Sequence, residues 1–221
     1  MKPKIIALVP MRHNSERVPQ KNFRDFNGKP LFHWILATLS QCSSIDAIYV
    51  DTDSPVVKEK APQVSKKITI IDRPANLCAG ETPMNEILLH DVSIVEADYY
   101  LQTHVTNPLL RAETIERAIK TFFSSGEYDS LFGVTRLQTR LWNERGEPVN
   151  HNTEILLRTQ DLPPIFEENS NIYIFTKENL RARKNRIGAR ALMFEIPRHE
   201  AWDIDEEIDF RIAEFLASQK L

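Results

Sequence analysis

Ile5-Ile6-Ala7-Leu8-Val9-Pro10-Met11-Arg12-His13-Asn14-Ser15-Glu16-Arg17-Val18-Pro19-Gln20-Lys21-Asn22 is the stretch on which the reading of the fold turns. Its opening run is apolar and rich in β-branched residues, the composition of a buried strand. The chain then enters a polar loop holding Arg12, Ser15, Arg17, Lys21 and Asn22, and a helix signal follows at Pro30-Leu31. In open α/β sheets ligands bind just beyond the carboxyl ends of the strands. Three cations at such a place suit a polyanion such as a nucleoside triphosphate. An ordinary solvated loop explains the charges equally well at this point.

Outward from this loop, strands and helices alternate. Leu31 to Gln41 has helical spacing, with Leu31, Trp34, Ile35, Thr38 and Leu39 on one face. Ala47 to Val50 is read as a strand ending in Asp51-Thr52-Asp53, and Ser54 can cap the next helix. Thr69 to Ile71, Tyr99 to Thr103, Ser130 to Val134, Asn171 to Phe175 and Leu192 to Ile196 are expected strands. Asn85 to Val95, Ala112 to Phe123, Lys177 to Ala182 and Glu206 to Ser218 are expected helices, the last with Ile208, Ile212, Phe215 and Leu216 facing inward. This rhythm predicts an α/β fold with a mostly parallel sheet flanked by helices.

The rhythm fails between Leu137 and Glu168, where the chain is polar and turn-rich. An unstructured excursion of that length is unusual in a compact domain. It is read as an extended β-arm, residues 137–168, protruding from a core formed by 1–136 and 169–221. Leu141, Trp142, Ile155, Leu156 and Ile165 would give it an apolar surface for a partner subunit. The alternative is that it folds over its own domain.

Composition narrows the function. The 221 residues hold 28 Lys and Arg against 31 Asp and Glu, a balance that argues against a dedicated nucleic-acid binder. Cys42 and Cys78 form no CxxC pattern, so reduced thiols in a cytoplasm are expected. The apolar start is too short for a signal peptide or membrane span. Neither GxxxxGK[ST] nor GxGxxG occurs, which excludes a P-loop and makes a dinucleotide fold improbable. Phosphates would therefore be held by side chains and loop amides. Magnesium is the natural complement, held by one or two carboxylates. Two candidate acid pairs exist: Asp51 with Asp53, and Asp203 with Asp205. The second leads into a helix, so capping explains it as well as metal binding does. Spacing does not decide between them. The six histidines form no metal-ligand spacing, and Trp34 is read as core.

Several motifs, in order, resemble the CMP-sialic acid synthetases (acylneuraminate cytidylyltransferases). They are the opening stretch with Asn27-Gly28-Lys29-Pro30-Leu31, Val50-Asp51-Thr52-Asp53, and Asp72-Arg73-Pro74-Ala75-Asn76-Leu77. Leu101-Gln102 ahead of Asn107-Pro108-Leu109, Arg158-Thr159-Gln160-Asp161-Leu162-Pro163, Asn169-Ser170-Asn171-Ile172-Tyr173-Ile174 and Asp203-Ile204-Asp205 complete the series. The resemblance implies a nucleotidyltransferase-type, Rossmann-like fold, and a homodimer made by the β-arm. The implied reaction is transfer of CMP from CTP to a 2-keto nonulosonic acid. By matched position it assigns Arg12, Ser15, Arg17, Lys21, Asn22, Arg73 and Thr82 to the nucleotide, with Arg12 and Lys21 acting in catalysis. Gln102, His104, Arg158, Gln160 and Asn169 fall on the sugar side, and Asp203 and Asp205 become the Mg²⁺ pair.

The chain also departs from that pattern. Ser15-x-Arg17-x-Pro19-x-Lys21 looks like the 3-deoxy-manno-octulosonate cytidylyltransferases. Glu167-Glu168-Asn169-Ser170 stands where the family shows Arg-Pro-Asn-Gly, and the apolar residues that some relatives place around an N-acyl group are not evident near Arg186-Ile187-Gly188. Activation of an octulosonate, another sugar-nucleotide transfer, or a non-catalytic member of the fold are the alternatives.

Overall fold

The computed structural model describes residues 2–219. Strand β1 (Ile5–Leu8) lies inside the sheet with every residue buried. Its alternate side chains enter two different cores: Ile5 and Ala7 one, Ile6 and Leu8 the other. Burying each large apolar side chain contributes about 1.5–3 kcal/mol, which rules out an edge position for this strand. Arg24 to Pro30 then turns back through β2 (Asp25–Phe26) and β3 (Lys29–Pro30). Their two-residue turn, Asn27 (φ 49°) and Gly28 (φ 82°), has the left-handed backbone that a tight hairpin needs.

Helices α1 (Leu31–Gln41), α2 (Pro55–Lys60), α3 (Met84–Ile94), α4 (Ala112–Ser125) and α5 (Lys177–Arg183) alternate with β4 (Ala47–Thr52), β5 (Ile68–Asp72), β6 (Tyr99–Gln102), β7 (Ser130–Leu137), β8 (Ile165–Phe175) and β9 (Ala191–Glu195). The closing helix is α6 (Glu207–Ser218). Ser54 caps α2 by accepting from the Val57 amide, as its sequence position predicts.

The seven main strands run in the order β5-β4-β1-β6-β8-β7-β9. All are parallel except β8, which is antiparallel to both neighbours. Chain order reverses about β1, with β4 on one side and β6 on the other, so the crevice above the ends of β1, β4 and β6 is where such sheets bind ligands.

The pairing of β7 with β8 slips between Phe132 and Val134, whose partners are Tyr173 and Glu168. Asn169 to Ile172 fill the irregularity, and Ser170 takes φ 56° there. A side chain at Gly133 would collide with Asn169, so glycine admits the bulge.

Two sequence expectations change. In α6 the buried residues are Phe210 and Ala213, whereas Ile208 and Phe215 are exposed. Phe210 sets the helix rotation by packing edge-on to Phe26 and beneath the Arg24 guanidinium. Within the expected arm, the ladder occupies only the base, where Val134–Leu137 pair with Ile165–Glu168. Residues 138–164 carry one isolated bridge, Trp142 to Pro148, and a short turn at Thr159–Asp161. Asn143 organises the tip by accepting the amides of Arg145 and Glu147.

Candidate active site

An open cleft of about 390 Å³ lies at the carboxyl ends of β1, β5 and β6. Its size is in the usual range for a small-molecule site. Arg12, Ser15, Arg17, Lys21, Asn22, Arg73, Thr82, His104, Asp203 and Asp205 all border it. Residues from four separate parts of the chain therefore meet around one space.

The first loop is fixed by its own hydrogen bonds. Asn22 donates to the Arg12 carbonyl at 2.7 Å, and the His13 amide donates to Asp53 Oδ1 at 2.6 Å. Arg12 faces Glu16 at 3.5 Å, an exposed pairing of the kind that contributes about 0–1 kcal/mol. Gly80 leaves room for both side chains, since a Cβ there would meet them.

Lys21 is nearly buried, and its Nζ donates to the Ile204 carbonyl at 2.6 Å, between the two aspartates. Burial lowers its pKa, partly offset by Asp203 and Asp205. Arg17 donates to Asp205 Oδ1 at 2.6 Å across an exposed pair. The cations of the first turn and the acids near the C-terminus thus share one locus.

What those acids are for follows from the helix behind them. Glu206 accepts from the first turn of α6, and Asp209 accepts the amides of Glu206 and Asp205. Capping is done by Glu206 and Asp209, leaving Asp203 and Asp205 free of it. Asp203 Oδ1 is buried and has no hydrogen-bond partner. Burial raises the Asp203 pKa, the mark of a carboxylate short of compensating charge. Two hard oxygen donors, one orphaned, beside a phosphate-sized cationic space fit Mg²⁺. The other acid pair is otherwise engaged: Asp51 binds Arg73, and Asp53 accepts the His13 amide.

At the opposite end His104, Ser170 and Arg186 line the cleft, and Gln102, expected to meet the substrate, is instead fully buried behind them. Arg186 donates to Gln102 Oε1 at 2.6 Å, and its guanidinium lies 3.5 Å from the Tyr173 ring centroid. Gln102 then has its amide nitrogen 3.0 Å from His104 Nε2. Burial, followed by the charges of Arg186 and Lys21, pushes the His104 pKa down to about 3. The imidazole is therefore neutral at physiological pH. With Nε2 accepting from Gln102, its proton resides on Nδ1. One cation thereby sets the direction of a chain of hydrogen bonds.

Sequence reasoning missed Arg186 as a cleft residue. It sits in a run of cations (Arg181, Arg183, Lys184, Arg186, Arg190), and nothing in spacing singles it out. Ser170 and Tyr173 stand in a motif that gives neither a role of its own, and the bulge beside them has no sequence signal.

Three expected substrate residues lie elsewhere. Arg158 pairs with Asp161 on the exposed excursion, and Gln160 is exposed beside it. Asn169 is buried, donating to Thr135 and accepting from the Asn171 amide. Among the described residues, no helix is long and apolar enough to cross a membrane.

A family model described as cytidylyltransferase matches residues 6–216. The chain is 23% identical to a pseudaminic acid cytidylyltransferase of Campylobacter jejuni, over 96% of each chain. It is 26% identical to an N-acylneuraminate cytidylyltransferase of Streptococcus agalactiae, over 95% of this chain and 52% of that protein. The chain thus spans nearly all of the first relative and about half of the second. Among solved structures, a CMP:2-keto-3-deoxy-manno-octonic acid synthetase complexed with CTP superposes with a TM-score of 0.69 at 17% identity, over 99% of this chain and 100% of that one. A 4-diphosphocytidyl-2C-methyl-D-erythritol synthase gives 0.68 at 16% identity, over 98% and 100%. These two show a shared nucleotidyltransferase fold.

Proposed function

The chain belongs to the cytidylyltransferase family, and from that premise we propose that it transfers CMP from CTP to a 2-keto sugar acid of the nonulosonic type. The observation that carries this reading is the meeting of Lys21 and Arg17 with the Asp203–Asp205 segment in one cleft. The relatives named for pseudaminic and N-acylneuraminic acids favour a nine-carbon acceptor over an octulosonate.

In this reaction the anomeric hydroxyl of the sugar attacks the α-phosphorus of CTP, and pyrophosphate leaves. Such transfers depend on positioning and on charge stabilisation. Arg12, Arg17 and Lys21 receive the phosphate charge at the mouth of the cleft. Arg73 and Thr82, which line the cleft, would border the nucleotide. Asp203 and Asp205 would hold Mg²⁺, which when bound offsets charge on the phosphate oxygens. The exposed bond from Arg17 to Asp205 is weak enough to give way to such an ion. His104 and Arg186 present donors to the sugar acid, and the buried Gln102 between them keeps their polarity fixed. The apolar residues lining the cleft include Met84 and Ile87 on α3 and Val105 beside His104.

The excursion supports a homodimer. Trp142, Val149, Ile155, Leu156 and Leu157 are exposed there, with Leu156 at 89%. An apolar group of this kind is usual at a subunit contact. Arg158 and Gln160, remote from their own cleft, would then serve the partner's.

The deciding experiment supplies CTP, Mg²⁺ and a panel of 2-keto sugar acids and measures pyrophosphate and CMP-sugar. Product from a nine-carbon acid is the expected result. Turnover of a sugar 1-phosphate instead would overturn the reading, and sedimentation of Leu156→Glu tests the dimer.

A further inference from the structure

Beneath the nucleotide end of the cleft lies a second set of charges that the reaction above does not use. Asp51, at the end of β4, and Asp91, on α3, are both fully buried. Arg73, after β5, donates its Nε to Asp51 Oδ1 and its Nη2 to the Asp51 carbonyl at 3.2 Å. The half-buried His90 approaches Asp91 Oδ1 at 3.3 Å and Asp51 Oδ2 at 3.9 Å. One oxygen of each acid, Asp51 Oδ2 and Asp91 Oδ2, has no hydrogen-bond partner.

Charge counting shows the difficulty. Two buried carboxylates face one guanidinium and one imidazole, and an uncompensated buried carboxylate is costly. Adjacent buried acids meet this by keeping one proton between them. Ligand atoms of Asp51, His90 and Asp91 lie within 4.8 Å of one another, a span that also suits a metal ion. Arg73 already supplies the positive charge, however, and a divalent ion beside its guanidinium would be repelled in this dry site. A proton carries no such penalty.

We propose that Asp51 and Asp91, sharing one proton, are positioning residues that aim Arg73 into the nucleotide end of the cleft. Asp51 fixes the guanidinium through two of its nitrogens, and Nη1, which has no partner among the described residues, is left for the ligand. Asp91, kept neutral, prevents a second negative charge from cancelling the field of Arg73. Burial, then the charge of Asp51, pushes the Asp91 pKa up to about 9, in keeping with that geometry. The groups facing Asp91 are Asp51, Arg73 and His90. This inference rests on the cytidine-nucleotide reading of the cleft.

Calorimetric binding of CTP with Mg²⁺ tests it, together with difference infrared spectroscopy. Asp51→Asn should weaken CTP binding by about tenfold, the size of one charge-assisted hydrogen bond. Arg73→Ala should weaken it at least as much, and the double variant no more than Arg73→Ala alone, since Asp51 acts only through Arg73. The protonated-carboxyl stretch should vanish in Asp91→Asn. The alkaline loss of wild-type affinity near pH 9 should vanish with it.

Unchanged affinity in Asp51→Asn, additive losses in the double variant, or one bound metal removed by either acid substitution would overturn the proposal. Wild-type protein that binds no cytidine nucleotide would sink the functional reading as well, whereas normal wild-type binding with an inert Asp51→Asn would sink this inference alone. Should Asp51→Asn fail to fold, the infrared band and the alkaline limb of Asp91→Asn decide the matter.

Discussion

Asp203 with Asp205, and Asp51 with Asp91, are two pairs of the same residue at two depths of one cleft. The first pair stands at the mouth, where Asp205 is exposed and Arg17 and Lys21 lie against the segment. The second is fully buried and sees one guanidinium and one imidazole. At the mouth, Asp205 meets water while Arg17 and Lys21 lie against the segment, and the buried, unpartnered Asp203 Oδ1 is open to an ion from the cleft, the role proposed for this pair. Inside, two adjacent charges lack that compensation, and a proton takes the place of one. In the two proposed roles, depth rather than residue type separates a pair suited to an ion from one suited to a shared proton.

The largest effect that would break this contrast belongs to the outer pair. Asp203→Ala and Asp205→Ala should each lower pyrophosphate release by about 10²–10³-fold, the usual loss when a charge-stabilising group is removed. A chelator should stop wild-type turnover, and added Mg²⁺ should restore it. Near-normal turnover in Asp203→Ala would leave its orphaned Oδ1 without a purpose and return both acids to the role of ordinary surface charge.

Why the outer pair was legible in the sequence and the inner one was not follows from the chain itself. Asp203 and Asp205 are two residues apart, and their motif is local. Only the choice between capping and metal binding had to wait for the structure, where Glu206 and Asp209 take the capping. Asp51 and Asp91 are forty residues apart, on a strand and a helix, and nothing in either segment announces the other. The strands and helices were legible for the local reason, since apolar periodicity carries most of the signal. The rotation of α6 was not, because Phe26 and Arg24 set it from a distant hairpin. Arg186 was hidden likewise, since what distinguishes it from Arg183 or Arg190 is contact with Gln102 and Tyr173.

Arg186 sharpens the contrast from the opposite sign. It is a half-buried cation with no carboxylate within 4.0 Å among the described residues. Burial lowers its pKa, which marks the cost of holding the charge there. An anionic group of the acceptor would relieve that cost. Arg186→Ala should therefore raise the KM for the sugar acid by about tenfold to a hundredfold, as loss of a hydrogen bond to a charged group does, with the KM for CTP little changed. Equal rises in both constants would mean that the substitution disturbs the cleft as a whole.

The last effect is one of stability rather than of binding or rate, and its sign discriminates between the two depths. The Asp91 carboxyl rises from an ordinary 3.8 to about 9. The unfolded chain releases this proton near the lower value, while the folded chain keeps it to the upper one. Folded protein thus binds the extra proton across the window, and stability falls as pH rises through it. Asparagine has no such proton to retain. Asp91→Asn should therefore gain on wild type as pH climbs from about 4 towards 9, each kcal/mol appearing as about 2–4 °C in melting temperature. Below the lower value the gain should disappear, because both states of the wild type are then protonated. A difference independent of pH would mean that Asp91 ionises freely within the fold, and the distinction between a wet pair and a dry pair would fail with it.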